Sequence, residues 1–408
     1  MNAARTRGQP AALGAVGSMI RGGAPHAVLL VGAAGVGKTT LATDLAAGLL
    51  CTAADVAARP CGVCRACRMV AHGSHPDLHR LGPDGPGRQV VIGGPGAKVP
   101  GVRDLIADLA LLPVEGGARV AIIEGAHRMN EDAQAALLKT LEEPPDGVTI
   151  VLCADAEELL LPTIRSRTAR LRLGPVGVRD IEAILAEHGA AEAPLAARLA
   201  RISGGRPGLA LAWASQPDAL RARDELARTL LDLLATRAGE RLLTMRTALA
   251  TLATSSALTP ASGGTSRDTP SAALSRRSVA SDASASAGVS SDEGDGSGSA
   301  SGSDVDEGVA AARVPATERR RAADALVAVW SEVIRDVALC QRGLTRSVRD
   351  IGLLDDLEAA AVATDGPSLT AFLDRLGRAA VLLRSNVSPE LVLDDLALAA
   401  PGARSVAA

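Results

Sequence analysis

Apolar positions along the chain follow two regimes. Up to about residue 175, short unbroken apolar runs alternate with stretches whose apolar residues recur at helical spacing. The runs are Val28 to Val31, Gln89 to Ile92, Arg119 to Glu124, which ends in an acid, and Val148 to Cys153, each read as a buried strand. Between them the spacing predicts helices over Ala11 to Ile20, from Lys38 through Leu41, Leu45 and Leu49 as an amphipathic face, over Val102 to Leu112, and over Glu131 to Leu141. Asn130 stands as N-cap of the last of these, and Pro144-Pro145 closes its far end. Strands alternating with helices at this interval imply a parallel sheet covered on both faces. From about Val176 the strand pattern stops. Short helices are expected over 178–213, broken at Gly204-Gly205 and Pro207-Gly208, then a longer helical pattern from Ala219 to Leu252 that resumes from Glu318 to Ala400. The expectation is an α/β domain followed by an all-helical part.

Between the two long helical stretches, residues 254–316 are dominated by Ser, Ala, Gly and Asp, with almost no large apolar side chain. Such a segment buries too little surface to offset its ordering entropy, and disorder is expected. Closing so long an insertion is inexpensive, because the cost grows only logarithmically with length. Its acidic end (Asp292, Glu293, Asp295, Asp304, Asp306, Glu307) reads as a solvated stretch without a partner.

Composition narrows the function classes. At 408 residues, two or three domains are expected. Phe372, Trp213 and Trp330 are the only aromatic residues, so base stacking on aromatic platforms is effectively excluded as a way to grip single strands. A net charge of −3 argues against coating nucleic acid by bulk electrostatics. No apolar run reaches the roughly 18 residues needed to cross a bilayer, and residues 1–24 lack the apolar centre of a secretory signal. A cytoplasmic location with no membrane partner is therefore expected, where the six cysteines point to metal or core packing before disulfides.

The candidate chemistry begins directly after the first strand. Gly32-Ala33-Ala34-Gly35-Val36-Gly37-Lys38-Thr39 fits the phosphate-loop pattern G-x-x-x-x-G-K-[ST], and Thr40 follows it. Gly32, Gly35 and Gly37 let the backbone curl so that successive N–H groups face one anion. A helix opening near Lys38 adds the positive end of its dipole, Lys38 reaches the outer phosphates, and the Thr39 hydroxyl ligates magnesium. A chance glycine-rich turn is the alternative, which the strand before and the helix after the loop disfavour. Cys51, Cys61, Cys64 and Cys67 form C-x9-C-x2-C-x2-C. Four thiolates on one knuckle, with no open position, suit a closed structural Zn²⁺ site; a redox pair or scattered thiols is the alternative. Cys153 and Cys340 are expected in the core.

A phosphate-loop ATPase needs acids at the end of a neighbouring strand, one to hold magnesium and one to polarise water. Here Glu124 is followed by Gly125, so the first role has a candidate and the second has none. His127 lies close by as a possible base, although a lone histidine at a strand exit is more often a capping or surface residue. Arg167, in Pro162-Thr163-Ile164-Arg165-Ser166-Arg167-Thr168, is either an ordinary surface arginine or one that projects toward a phosphate held by a neighbouring subunit.

With these pieces in order the chain resembles the AAA+ clamp-loader subunits of bacterial DNA polymerase III. The resemblance rests on Pro25-His26-Ala27, the loop 32–39, the four cysteines, Arg128-Met129-Asn130 through Leu141-Glu142-Glu143-Pro144-Pro145, Thr163-Ile164-Arg165-Ser166-Arg167, and Ser385-Asn386-Val387-Ser388-Pro389. It implies a RecA-like AAA+ P-loop domain with a parallel sheet and zinc module over 1–173. A helical lid over 174–216 and a helical collar over 217–408 would follow, the collar interrupted by the insertion. It further implies structural zinc, ATP with Mg²⁺ as a ligand, Glu124 as a magnesium-side acid and Arg167 as an arginine finger acting in trans. The implied partners are the other subunits of a hetero-pentamer, a sliding clamp and, through the complex, primer-template DNA. The implied function is loading the clamp on primed DNA without synthesising DNA. Gly125, Thr168 after the finger arginine, and Gly208 near the place of a second phosphate-sensing arginine favour a stator-like subunit that hydrolyses ATP poorly over the ATP-hydrolysing motor, with Arg206 close enough to leave that sensor open.

Overall fold

Five strands, β1 (Ala27–Val31), β2 (Leu78–Leu81), β3 (Arg119–Ile123), β4 (Val148–Ala154) and β5 (Ala169–Arg172), form one parallel sheet in the order β2-β3-β4-β1-β5. The computed structural model describes residues 3–84, 88–115, 117–236, 238–254, 314–385 and 387–401. The inner strands β3 and β4 are buried at every position and β1 at all but its last, which is why they read as unbroken apolar runs rather than as alternation. Alternate residues still serve opposite faces. Val28, Leu30, Val120 and Ile122 belong to one core, whereas Ala27, Leu29, Ala121 and Ile123 belong to the other.

On the first face lie α1 (Pro10–Gly22) and α2 (Lys38–Leu49), and the apolar core there continues into α7 (Val178–Glu187), α8 (Ala193–Ile202) and α9 (Pro207–Ser215), which pack on one another. The second face is covered by α4 (Val102–Leu109) and α5 (Glu131–Glu142), through Leu105, Leu109, Leu137 and Leu141. Two short helices complete this part: α3 (Arg65–Ala71) against α2, and α6 (Pro162–Ser166) against the end of α5. Asn130 caps α5 as expected, its side chain accepting a bond from the Ala133 amide at 3.0 Å. This is a parallel α/β sheet covered by helices on both faces.

Four expectations need correction. The second strand is Leu78–Leu81, not Gln89 to Ile92. Its pattern hid it because at a sheet edge only Leu78 and Leu81 are buried, while Arg80 and His79 pair with Glu124 and Asp108. Residues 89–92 make only one bridge, Val90 to Met129; the Val91 and Ile92 carbonyls accept instead from the amides of Val102 and Arg103. The helix from Val102 stops at Leu109, leaving Leu111 and Leu112 exposed. Helix α2 is not amphipathic: Lys38, residues 41–46 and Gly48 are buried around it, because sheet, α1 and α3 enclose it. Finally, Pro207-Gly208 opens α9 rather than breaking a helix, as a proline in the first turn permits.

The remaining chain is helical: α10 (Pro217–Ala235), α11 (Ala238–Thr254), α12 (Ala316–Gln341), α13 (Leu354–Ala363), α14 (Gly366–Arg384) and α15 (Pro389–Ala399). Its core centres on α12, where Trp330 is fully buried and meets Phe372 edge to face at 5.0 Å. Of the insertion expected to be disordered over 254–316, residues 255–313 lie outside the described residues, as does Asn386 of the last junction, while Thr254 ends one helix and Ala316 opens the next. Among the described residues no helix is long and apolar enough to cross a membrane.

Candidate nucleotide site and cysteine centre

The parallel sheet brings the carboxyl ends of β1, β3 and β4 to one edge, at the place where strand order reverses and a ligand crevice forms in such folds. The phosphate loop leaves β1 there. Gly35 and Gly37 sit at φ +78° and +107°, a left-handed backbone that favours glycine. Gly32 is needed for closeness, since a Cβ on it would lie 2.6 Å from the Leu173 carbonyl oxygen beyond β5. Helix α2 opens at Lys38, whose Nζ donates to the carbonyls of Gly32 and Ala33, both at 2.8 Å, and lies 2.7 Å from Asp155 Oδ1. Thr39 and Thr40 follow in its first turn, half-buried.

Glu124 follows β3 on the same edge, its Oε1 accepting from Arg80 at 3.3 Å; Arg80 also donates to Thr43 Oγ1 at 2.8 Å. Gly125 adopts a left-handed turn, φ +61° and ψ 39°, that opens the short helical turn Ala126–Arg128. His127 there is a capping residue: its Nδ1 accepts the Asp155 amide at 3.1 Å, and Nε2 lies 3.7 Å from Asp155 Oδ2.

Asp155 was not singled out from sequence. It stands one residue past β4, and the pairing of Val31 with Ala154 sets it beside Gly32. That register depends on a strand pairing across more than a hundred residues, which no local pattern reports.

Helix α9 closes the other side of the loop. The Gly208 amide donates to the Gly35 carbonyl at 2.8 Å, and a Cβ at 208 would come within 3.1 Å of Gly35 Cα. The helix seats on the loop because that residue is glycine. Arg206, at its N-cap, turns away, bonding the Ser203 carbonyl and Glu332 of α12, both at 2.8 Å. The sensor position left open at Arg206 is thus committed to the helical part.

The four cysteines form a single cluster, with all Sγ atoms within 4.8 Å of one another. Cys51 to Cys64 measures 3.9 Å and Cys61 to Cys67 4.0 Å. A tetrahedron with metal–sulfur bonds of about 2.3 Å has edges of about 3.8 Å, so the cluster fits one metal ion. The Cys64 and Cys67 amides donate to the Cys61 and Cys64 sulfurs at 3.4 and 3.3 Å, an arrangement that favours thiolates. Although desolvation opposes it, the Cys64 thiol is brought down to about 6 by donors from Cys67 and Thr52, while burial pushes Cys67 up to about 12. Cys67 Sγ also reaches the Ala47 carbonyl at 3.8 Å, joining the knuckle to the phosphate-loop helix. Cys153 is fully buried in β4, where burial pushes its thiol to about 12, and Cys340 is half-buried on α12; neither joins the cluster.

A family profile described as DNA polymerase III, delta subunit, matches residues 9–177. The DNA polymerase III subunit delta' of Pseudomonas aeruginosa is 42% identical over 142 residues, 35% of this chain and 41% of that protein. Subunit tau of Escherichia coli is 37% identical over 178 residues, 43% of this chain and 26% of that protein. Over this segment the chain is similar to delta' and tau subunits of DNA polymerase III. It spans less than half the length of these two relatives. Among solved structures, a DNA polymerase III gamma subunit-related protein of Thermotoga maritima is 13% identical, with a TM-score of 0.34 over 94% of this chain and 97% of that one.

Two of the motifs that carry the resemblance meet in space. Arg167, the C-cap of α6, bonds the Thr163 carbonyl at 3.1 Å and pairs with Glu142 at 2.8 Å, at the end of α5. The Leu-Glu-Glu-Pro-Pro motif and the Thr-Ile-Arg-Ser-Arg motif thereby meet at one corner, and Arg167, with its side chain 36% exposed, stands at the surface there.

Proposed function

We propose that this chain serves as the delta-prime subunit of the DNA polymerase III clamp loader, a stator that helps load the sliding clamp on primed DNA without synthesising DNA. The observation that carries this reading is Gly125. The residue after Glu124 is held in a left-handed turn, so the position where an active ATPase of this class would carry a water-polarising carboxylate has no side chain. The nucleotide domain would occupy 1–173, the lid 174–216 and the collar 217–408.

In this reading Gly32, Gly35, Gly37, Lys38, Thr39 and Thr40 bind MgATP, with Glu124 on the magnesium side, and hydrolysis is poor. Bound magnesium would neutralise charge on the nucleotide phosphates. Arg167 would exchange Glu142 for a phosphate bound by a neighbouring subunit, where its planar fork is suited to phosphate oxygens. Cys51, Cys61, Cys64 and Cys67 would hold a structural Zn²⁺. The partners would be the other subunits of a hetero-pentamer, the sliding clamp and primer-template DNA through backbone phosphates.

The test is ATP hydrolysis by the purified chain alone and then mixed with the motor subunit and clamp. No turnover alone, with a stimulation on mixing that Arg167→Ala lowers by several orders of magnitude at most, fits the stator. Robust turnover alone that Lys38→Ala abolishes would instead make this the motor subunit, a reading that the complete phosphate loop and the likeness to tau favour.

A further inference from the structure

Lys38 is fully committed within this chain. An ammonium has three N–H donors, and Nζ has three acceptors within reach: the Gly32 and Ala33 carbonyls at 2.8 Å and Asp155 Oδ1 at 2.7 Å. Its side chain is only 8% exposed, so water does little to screen the pair with Asp155. A nucleotide phosphate can engage Lys38 only by taking one of those three places. The two carbonyls belong to the backbone of the loop. Asp155 is different, because it is a side chain just beyond a strand end and 35% exposed. Its other oxygen already faces His127 Nε2 at 3.7 Å, while the bond from its amide to His127 Nδ1 fixes the backbone. The carboxylate thus has a second partner to turn to, and Lys38 is the partner it would give up.

We infer that Asp155 is a built-in anionic competitor for the phosphate loop, a residue that sets how weakly the site holds a nucleoside triphosphate. The inference rests on the proposed binding of MgATP at this loop. Bound phosphate and the Asp155 carboxylate claim the same ammonium and repel each other, so their occupancies oppose one another. A neutral amide at this position removes the competing charge and nearly preserves the shape.

MgATP binding measured by isothermal titration calorimetry on the full chain tests this, with thermal melting run alongside. Asp155→Asn is expected to tighten MgATP about tenfold, within the range of ordinary coupling between two competing ligands. The same change should lower the melting temperature without nucleotide, because Lys38 loses its counter-ion, and enlarge the rise that MgATP produces. In a Lys38→Ala background the gain should vanish. Asp155→Ser provides the same readout should the asparagine variant fail to fold. If the wild-type chain binds MgATP and neither variant binds tighter, or both bind more weakly, the competitor role is refuted while nucleotide binding stands. A gain that persists without Lys38 refutes it as well. If neither the wild-type chain nor the variants bind, the nucleotide reading falls and the inference falls with it.

Discussion

Arg223→Met would cut the centre of the ionic network that joins α8, α9 and α10 to α12. The Arg223 side chain is 3% exposed and pairs with Asp350, with Asp224 at 3.2 Å and with Glu332 at 3.7 Å. Removing one partner of a buried ion pair costs about 3–5 kcal/mol, because the stranded charge keeps its desolvation penalty. Here Asp350 retains Arg198 at 3.2 Å and Glu332 retains Arg206 at 2.8 Å, so the lower end, about 3 kcal/mol, applies. For a domain of about 150–250 residues this is a melting temperature lower by about 6–12 °C. Melting is followed by tryptophan fluorescence, in which Trp330 reports on the core around α12.

The pH dependence gives a second check. Burial raises the Glu332 carboxyl above its usual range even against Arg206, Arg223 and Arg349. Asp350 is shifted the other way: although desolvation would raise it, Arg198 and Arg223 hold it below the usual carboxylate value. The Asp350 contribution to stability is therefore present above its ordinary pKa and lost as pH falls through the lower folded value, whereas that of Glu332 is full at low pH and lost as pH rises through its raised one. Without Arg223 both carboxylates resist ionisation more strongly. The gap between variant and wild type should be widest at neutral pH and above and close as pH falls, Glu332 protonating first. A gap under about 1 kcal/mol, or one that widens in acid, would refute the reasoning.

Three further outcomes are expected. Cys64→Ser should lower the zinc bound per chain, measured by elemental analysis, and loosen the end of α2, where Cys67 bonds Ala47; unchanged zinc content would remove Cys64 from the site. Asn130→Ala should cost about 1 kcal/mol and speed amide exchange in the first turn of α5, since the Ala133 amide loses its acceptor; unaltered exchange at Ala133 would show that the cap does not hold that turn. Arg167→Ala should melt within about 1 kcal/mol of wild type because its pair with Glu142 is exposed, which separates any loss of complex ATPase from misfolding.

Much of this architecture was legible locally. Unbroken apolar runs gave β1, β3 and β4 because both faces of an inner parallel strand are buried. Residue type and spacing announced the phosphate loop, and the cysteine spacing anticipated a quartet that the structure gathers within 4.8 Å. Edge strand β2 escaped because half its residues face polar partners, and 89–92 misled because apolar character marks burial, not pairing. What sequence determined by itself were features encoded within one element or one turn, where chemistry and conformation are set by neighbours along the chain. Tertiary structure alone decided the contacts between distant elements: Asp155 on Lys38 through the register of β1 and β4, Gly208 against Gly35, Arg206 turned to Glu332, and Arg167 paired with Glu142. These depend on which strands and helices become neighbours, and that is fixed by packing the whole core.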